Sequence, residues 1–122
     1  MHEIKLGVVE ARFADIIWEN EPVTTTALVA LCEKELNWKR TTTYTVLKKL
    51  CERGIFITQN SVVTSLLSRD DFFAIQSEQF VTDHFRGSLP AFLAAFTARK
   101  TPTARELMQI KELLKSFDEV AV

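Results

Sequence analysis

Residues 40–67 read RTTTYTVLKKLCERGIFITQNSVVTSLL, and the spacing of apolar residues changes within this stretch. The first part has helical spacing and begins near Thr41 or Thr42. It ends at Arg53, because Gly54 is typical of the residue that follows a helix. We therefore predict a helix with one buried stripe, formed by Thr43, Val46, Leu47 and Leu50.

The second part of the stretch is rich in β-branched and aromatic residues. Residues 55–59 and 62–67 form two such runs, and the polar pair Asn60-Ser61 separates them. This pattern predicts a two-stranded hairpin with a tight turn. Because a lone hairpin is marginally stable in water, we expect it to pack on helices.

Two more helices are predicted before this stretch. Apolar residues follow helical spacing over residues 8–19, and Pro22 comes soon after that segment. A second helix is expected to start at Thr24–Thr26, where a hydroxyl group can cap the first amides, and to run to Leu36. Three helices followed by a hairpin are the order of elements in a winged helix-turn-helix, which we assign to residues 1–68.

The remaining residues, 69–122, have the pattern of further helices. Capping sequences begin at Ser68 and at Thr103, and seven of the nine Phe residues lie between positions 72 and 117. A segment of this length cannot easily bury so much aromatic surface alone, so we predict a helical dimerisation region. Packing of the Phe residues onto the N-terminal core is the alternative. The predicted dimerisation residues are Phe72, Phe80, Phe85, Phe92, Phe96, Leu113, Leu114 and Phe117.

The charge is uneven along the chain, although the net charge is only −1. Residues 38–53 contain five Lys or Arg residues and one acid, Glu52, and the rest of the chain is net acidic. Such a local basic cluster attracts phosphate, because salt screens charges beyond a Debye length of roughly 10 Å. A solvated helix face with ordinary surface lysines is the alternative. The candidate DNA-binding residues are Arg40, Thr41, Thr42, Tyr44, Thr45, Lys48 and Lys49.

Motifs for catalysis or metal binding are absent from the sequence. With 3 Gly residues in the chain, no glycine-rich phosphate loop can form, and His2 and His84 are isolated. Cys32 and Cys51 fall in apolar helical patterns, which favours reduced, buried thiols over a disulfide or a metal pair. We predict no enzyme activity, no cofactor and no metal. The sequence has no apolar stretch long enough to span a membrane and no recognisable secretory signal. We therefore expect a cytoplasmic protein that is not inserted in a membrane.

The order of elements and several short motifs together resemble the BlaI/MecI penicillinase-repressor family of bacterial winged-helix repressors. Each motif is weak alone, but their joint order extends over nearly the whole chain. The motifs are Ile16-Ile17-Trp18, Thr24–Thr26, Asn37-Trp38-Lys39, the run from Thr42 to Leu50, Gly54-Ile55, Gly87 and Phe96.

The resemblance implies a homodimer that binds a dyad-symmetric, double-stranded operator through the third helix of each subunit. It also implies a membrane sensor protease as a partner, which signals a β-lactam and ends repression by cutting the dimerisation region. The equivalent bond here joins Ala95 and Phe96, both of which we expect to be buried in a helix.

The sequence departs from the family pattern at two places, and its last residues exclude one branch of the family. The turn Gln59-Asn60-Ser61 lacks the basic residues that are common in the family's wing. Ala95 stands where the cleaved members carry Asn, so release by a ligand or by a different cut stays open. The end of the chain, residues 117–122, lacks the cysteine-rich tail of the copper-responsive branch.

Two functions follow from these observations. The first is a dimeric, sequence-specific transcriptional repressor that controls a β-lactam-response gene. The alternative is a winged-helix protein-interaction module that does not bind DNA. The net charge and the uncharged wing favour the second function. The Thr, Tyr and Lys side chains on the third helix favour the first, since an interaction helix more often exposes apolar anchors.

Overall fold

The computed structural model describes residues 6–118, which contain six helices and three short strands. The strands form an antiparallel sheet in the order β1-β3-β2. The predicted fold class, a winged helix-turn-helix followed by a helical region, is confirmed. The elements are α1 Val8–Asn20, β1 Val23–Thr24, α2 Thr25–Leu36, α3 Arg40–Glu52, β2 Phe56–Gln59, β3 Val62–Ser65, α4 Arg69–Phe85, α5 Leu89–Arg99 and α6 Ala104–Asp118.

The chain forms two compact units, and the division falls within α4, between Gln79 and Phe80. The sequence placed the division between residues 68 and 69. The difference arises because the first turns of α4 pack into the core of the first unit. Phe72 is only 1% exposed, and its ring lies 5.6 Å from that of Trp18.

The core of the first unit is built from one face of each helix and the inner side of the sheet. The Trp38 ring stacks on Phe13 with 5.3 Å between ring centroids, so the turn between α2 and α3 is closed against this core as expected. The Trp18 indole N–H donates to the carbonyl of Leu67 at 3.0 Å, which ties α1 to the segment after β3. The buried apolar residues are Phe13, Ala14, Ile16, Ile17, Val23, Leu28, Cys32, Leu47, Leu50, Ile55, Phe56, Val63 and Phe72.

Side-chain caps fix the starts of α2 and α4, and a backbone hydrogen bond marks the start of α3. The Thr24 hydroxyl accepts a hydrogen bond from the Ala27 N–H at 3.1 Å, which confirms the predicted cap of α2. Helix α3 begins at Arg40, slightly earlier than predicted, because Lys39 has an extended backbone and its carbonyl accepts from the Thr43 N–H at 3.1 Å. The Ser68 hydroxyl accepts from the amide of the third residue after it at 3.1 Å, as the sequence indicated.

The sheet contains one strand that the sequence did not predict. Strand β1 has two residues, and it pairs with β3 through Val23 opposite Val63. Such a short segment between Pro22 and a helix has no alternating pattern to find. In the hairpin turn, Asn60 and Ser61 have φ values of 52° and 62°, which match a type I′ turn. The predicted hairpin is therefore the wing of a three-stranded sheet.

The second unit contains the end of α4 together with α5 and α6. The Thr103 hydroxyl accepts from the Glu106 N–H at 3.1 Å, and the Glu106 carboxylate accepts from the Thr103 N–H at 2.9 Å. This reciprocal pair is the predicted capping box at the start of α6. None of the described residues from 80 to 118 is fully buried. The second unit therefore has no core of its own.

Candidate nucleic-acid interface

Helix α3 divides into a buried face and a solvent face. Thr43, Leu47 and Leu50 point into the core of the first unit, and Val46 is half-buried. The predicted stripe is thus confirmed, and it leaves the opposite side of α3 free. All of the residues predicted to bind DNA are exposed, namely Arg40, Thr41, Thr42, Tyr44, Thr45, Lys48 and Lys49.

Two of the exposed residues, Arg40 and Tyr44, contact each other. The Arg40 guanidinium lies 5.5 Å from the centre of the Tyr44 ring, within the range of a cation–π interaction. A hydrogen bond from the Thr25 side chain lowers the pKa of the Tyr44 phenol, and the nearby charge of Arg40 acts in the same direction. Tyr44 is therefore influenced both from its own helix, by Arg40, and from the start of α2, by Thr25.

The basic residues of α3 differ in their surroundings. Lys48 and Lys49 are exposed and form no ion pair within residues 6–118. Arg53 is half-buried, and its guanidinium lies 3.7 Å from the Glu10 carboxylate of α1. Of the five basic residues in the cluster, Lys39, Arg40, Lys48 and Lys49 are thus exposed, whereas Arg53 pairs with α1.

The threonines at the start of α3 also differ. The Thr45 hydroxyl donates to the Thr41 carbonyl at 2.8 Å and keeps its lone pairs for an incoming donor. Thr43 is buried, and its hydroxyl donates to the Lys39 carbonyl at 3.3 Å. Thr42 is exposed and has no side-chain hydrogen bond among the residues that the structure describes. The exposed threonines on this face are therefore Thr41, Thr42 and Thr45.

The wing lies on the same side of the first unit as the exposed face of α3. The Thr25 N–H donates to the Ser61 carbonyl in the wing turn at 2.9 Å. A groove of about 430 Å³ separates α3 from β2, and its walls include Tyr44, Lys48 and Ile57. Residues of both elements therefore border one continuous surface.

Sequence reasoning missed Thr25 as a residue that connects α3 and the wing. The only signal was the threonine triplet at positions 24–26, which predicted a helix cap. The cap is formed by Thr24, whereas Thr25 contacts both Tyr44 and Ser61. Contacts between residues so far apart in the chain leave no local pattern.

The cysteines do not form a site. Both are free thiols, and Cys32 is buried, which raises the pKa of its thiol. Cys51 was expected to be buried but is half-buried, because it borders the groove, with its sulfur 3.7 Å from the Thr58 hydroxyl. Residues 6–118 contain no group of side chains that could hold a metal ion. Within the same residues, no helix is both long and apolar enough to span a membrane.

The predicted dimerisation residues fall into three groups. Phe80, Phe85, Phe92 and Phe96 are joined by ring contacts at the end of α4 and along α5. Leu113, Leu114 and Phe117 are exposed on α6. The prediction for Phe72 is wrong, because this ring is buried against Trp18 in the first unit and cannot reach another subunit.

The candidate cleavage bond lies within α5, as the sequence predicted, but the expected burial is wrong. Phe96 is 53% exposed in the single chain, and Ala95 is exposed as well. Both residues are exposed because the second unit has no core in which α5 could bury a side chain. Access to this bond is limited by helical structure and not by burial in the chain itself.

The fold and the polar, basic face of α3 define a winged helix-turn-helix protein. The model of the penicillinase repressor family matches residues 6–116, and the chain belongs to this family. Penicillinase repressors are transcriptional regulators and not enzymes. No curated protein sequence matches the chain.

Proposed function

We propose that this protein is a dimeric, sequence-specific DNA-binding repressor that acts in the cytoplasm and lowers transcription of a β-lactam-response gene. The observation that carries the proposal is the exposed face of α3. This face presents threonine, tyrosine, lysine and arginine side chains and no exposed aliphatic side chain that could anchor a protein partner. Membership of a repressor family supports the same function. Helix α3 is the element that enters the major groove of the operator.

The residues of this face have separate roles. Lys48 and Lys49 are exposed and form no ion pair within residues 6–118, so they contact phosphates or guanine edges. Arg40, at the start of α3, does the same. Tyr44 and Thr45 read base edges, where removing such a side chain costs roughly 1–3 kcal/mol at one base pair. The Arg40 guanidinium, 5.5 Å from the centre of the Tyr44 ring, places a basic side chain beside this proposed base-reading residue.

Dimerisation occurs through the second unit. A helical unit without a buried residue leaves an apolar surface that water does not favour, and a second copy of the chain covers it in an isologous interface. In such a dimer the two α3 helices contact successive major grooves, roughly 34–36 Å apart along the DNA.

Repression ends when a membrane sensor protease, signalling a β-lactam, cuts the bond between Ala95 and Phe96. This bond lies in the unit that forms the dimer, so cutting it weakens the paired binding of two half-sites and leaves α3 intact. Induction by a ligand or by a different cut is the alternative, because Ala95 replaces the Asn of cleaved members.

The decisive experiment measures binding to a DNA fragment from the gene's own promoter by mobility shift over a range of salt. In the double variant Lys48→Ala with Lys49→Ala, the affinity for the promoter falls. The plot of log K against log salt also becomes less steep, by about 0.9 in slope for each phosphate that the protein no longer neutralises. The matched control is Lys34→Ala, which removes an exposed lysine from α2. An unchanged salt slope in the double variant contradicts the role of these lysines. Failure of the unaltered protein to bind any promoter fragment would favour the protein-interaction module.

A further inference from the structure

The groove between α3 and β2 has mainly apolar walls. Its volume is about 430 Å³, and all of its lining residues belong to the first unit. Leu47 and Phe56 are buried there, Ile57 is half-buried, and Leu66, just after β3, is 57% exposed. A cavity of this size with apolar walls and a few polar groups is typical of a small-molecule site.

The groove contains one basic residue, Lys48. This side chain is exposed and forms no ion pair within residues 6–118. No Asp or Glu residue of the described chain lines the groove, and the other polar groups are the hydroxyls of Thr25, Tyr44 and Thr58 and the thiol of Cys51. The groove therefore favours a negative charge beside Lys48 and apolar atoms elsewhere along its walls.

The two walls of the groove are held together before any ligand binds. The Cys51 sulfur of α3 lies 3.7 Å from the Thr58 hydroxyl of β2. The Leu66 N–H donates to the Ile55 carbonyl at 2.8 Å, which holds the chain after β3 beside the start of β2. A preformed groove reduces the ordering cost that a ligand must overcome.

Two other occupants match the groove less well. A protein partner covers roughly 800 Å² of each surface in an interface of standard size, and the exposed face of α3 beside the groove is polar and basic. DNA contacts a lysine through phosphates or base edges, so it leaves Ile57 and Leu66 without an apolar partner. A small ligand with one anionic group matches both the charge and the walls.

We propose that this groove binds a small organic anion with an apolar chain or ring, and that the bound anion competes with operator DNA. The inference deepens the DNA binding proposed above and rests on it, because Lys48 and Tyr44 belong both to the groove and to the exposed face of α3. A bound anion pairs with Lys48 and occupies the space beside Tyr44. Ligand and operator then exclude each other, and repression ends without a cut in the chain.

The experiment uses octanoate as the ligand probe and measures how fast iodoacetamide alkylates Cys51 in the full chain without DNA. Cys51 is half-buried in the groove wall, whereas burial raises the pKa of the Cys32 thiol and slows its reaction. Mass spectrometry of the two cysteine peptides separates these thiols. At about nine times its dissociation constant, octanoate should slow the alkylation of Cys51 about tenfold, because occupied grooves do not react. Acetate, which lacks the chain, and octanamide, which lacks the charge, should protect far less.

The titration of Tyr44 is a second measurement of the same binding. A carboxylate beside the phenol disfavours the charged phenolate. Octanoate should therefore raise the pKa of Tyr44, and acetate at the same concentration should leave it unchanged.

Two variants separate the apolar surface from the charge. Leu66→Gln removes apolar surface from the groove, so it should weaken protection by octanoate and leave the promoter affinity without octanoate unchanged. The matched control is Val9→Gln, which changes a residue of α1 that is 52% exposed and lies outside the groove. In Lys48→Ala, octanoate should protect Cys51 no better than octanamide does.

Competition is measured by mobility shift on the promoter fragment. If ligand and operator exclude each other, octanoate at about nine times its dissociation constant lowers the promoter affinity about tenfold, and further octanoate lowers it further. In Leu66→Gln, the same loss of affinity should require more octanoate.

Three results would overturn the inference, in whole or in part. Equal protection by octanoate, acetate and octanamide, or no protection with an unchanged titration of Tyr44, contradicts the ligand site. A promoter affinity that octanoate leaves unchanged, although Cys51 is protected, contradicts the competition and leaves the proposed DNA binding intact. If the unaltered protein binds no promoter fragment, the proposed function and the competition both fail, whereas protection of Cys51 still decides whether the groove binds an organic anion.

Discussion

The Thr25 side chain lies close enough to the phenol of Tyr44 to lower its pKa, which relates the start of α2 to the exposed face of α3. The backbone N–H of the same Thr25 donates to the Ser61 carbonyl in the wing turn at 2.9 Å. Thr25 thus relates the helix that presents the basic face to the tip of the wing, through its side chain on one side and its backbone N–H on the other. This arrangement can be tested directly, because Tyr44 is the single tyrosine of the chain.

The first prediction concerns the ionisation of Tyr44. The hydrogen bond from Thr25 lowers the pKa of the phenol below its ordinary value of 10.0. Thr25→Val preserves the shape of the side chain and removes the donor, so the pKa of Tyr44 should rise. The tyrosinate absorbance band, followed over a pH titration, measures this pKa without interference from another tyrosine. Thr26→Val is the matched control and should leave the titration unchanged.

The same shift predicts how stability depends on pH. The native protein releases the Tyr44 proton at a lower pH than the unfolded chain does. Between the two pKa values the unfolded state therefore binds more protons, and the free energy of unfolding rises with pH. Below the native pKa this contribution is absent. Urea unfolding across this window should show a smaller rise for Thr25→Val, and identical curves for both proteins would refute the hydrogen bond.

The second prediction concerns the first turns of α4. Phe72 is 1% exposed and packs against Trp18, so Phe72→Ala should reduce the free energy of unfolding by about 3–5 kcal/mol. Phe80→Ala, the control, changes a half-exposed ring and should cost far less. A fragment that ends at Gln79 should unfold cooperatively in urea, whereas one that ends at Ser68 should be much less stable. Equal stability of the two fragments would contradict the packing of Phe72.

The sequence predicted the elements whose patterns are local. The change from helical to alternating spacing after Gly54 located α3 and the hairpin to within a few residues. The caps at Thr24, Ser68 and Thr103 were also visible, because a cap depends on residues three apart. Strand β1 was missed, since its two residues exist as a strand only through pairing with β3.

The candidate site was predicted less completely. Helical spacing assigned the exposed face of α3 correctly, because the buried stripe fixes which side remains. Composition could not separate Lys48 from Arg53, which pairs with Glu10 in a distant helix. Aromatic content alone also grouped Phe72 with the exposed phenylalanines of the second unit. In each case the missing information is a contact between residues far apart in the chain.

The third prediction concerns dimerisation. On α6, Leu107, Ile110, Leu114 and Phe117 are exposed at alternating spacings of three and four, which is the spacing of a helix seam that packs on a partner helix. Leu114→Glu should convert the dimer to a monomer in sedimentation experiments at concentrations on the order of micromolar. Lys111→Glu, on the same helix, is the control for an added negative charge. A monomeric unaltered protein at such concentrations would rule out this interface.

The fourth prediction concerns the end of repression. The bond between Ala95 and Phe96 lies inside α5, and the Phe96 carbonyl accepts from the Lys100 N–H at 3.0 Å. A protease requires an extended segment, so cleavage must follow local unfolding of α5. In the single chain this helix has no buried residue, so the proposed dimer interface, which includes Phe96, is what local unfolding has to open. On addition of a β-lactam to the host, a blot should show loss of the full-length protein before the regulated gene is induced.

The variant Ala95→Asn introduces the residue of the cleaved members and should accelerate this loss. Ala98→Asn is the control for an added amide on the same helix. Persistence of the full-length protein during induction would exclude cleavage and assign release to a ligand.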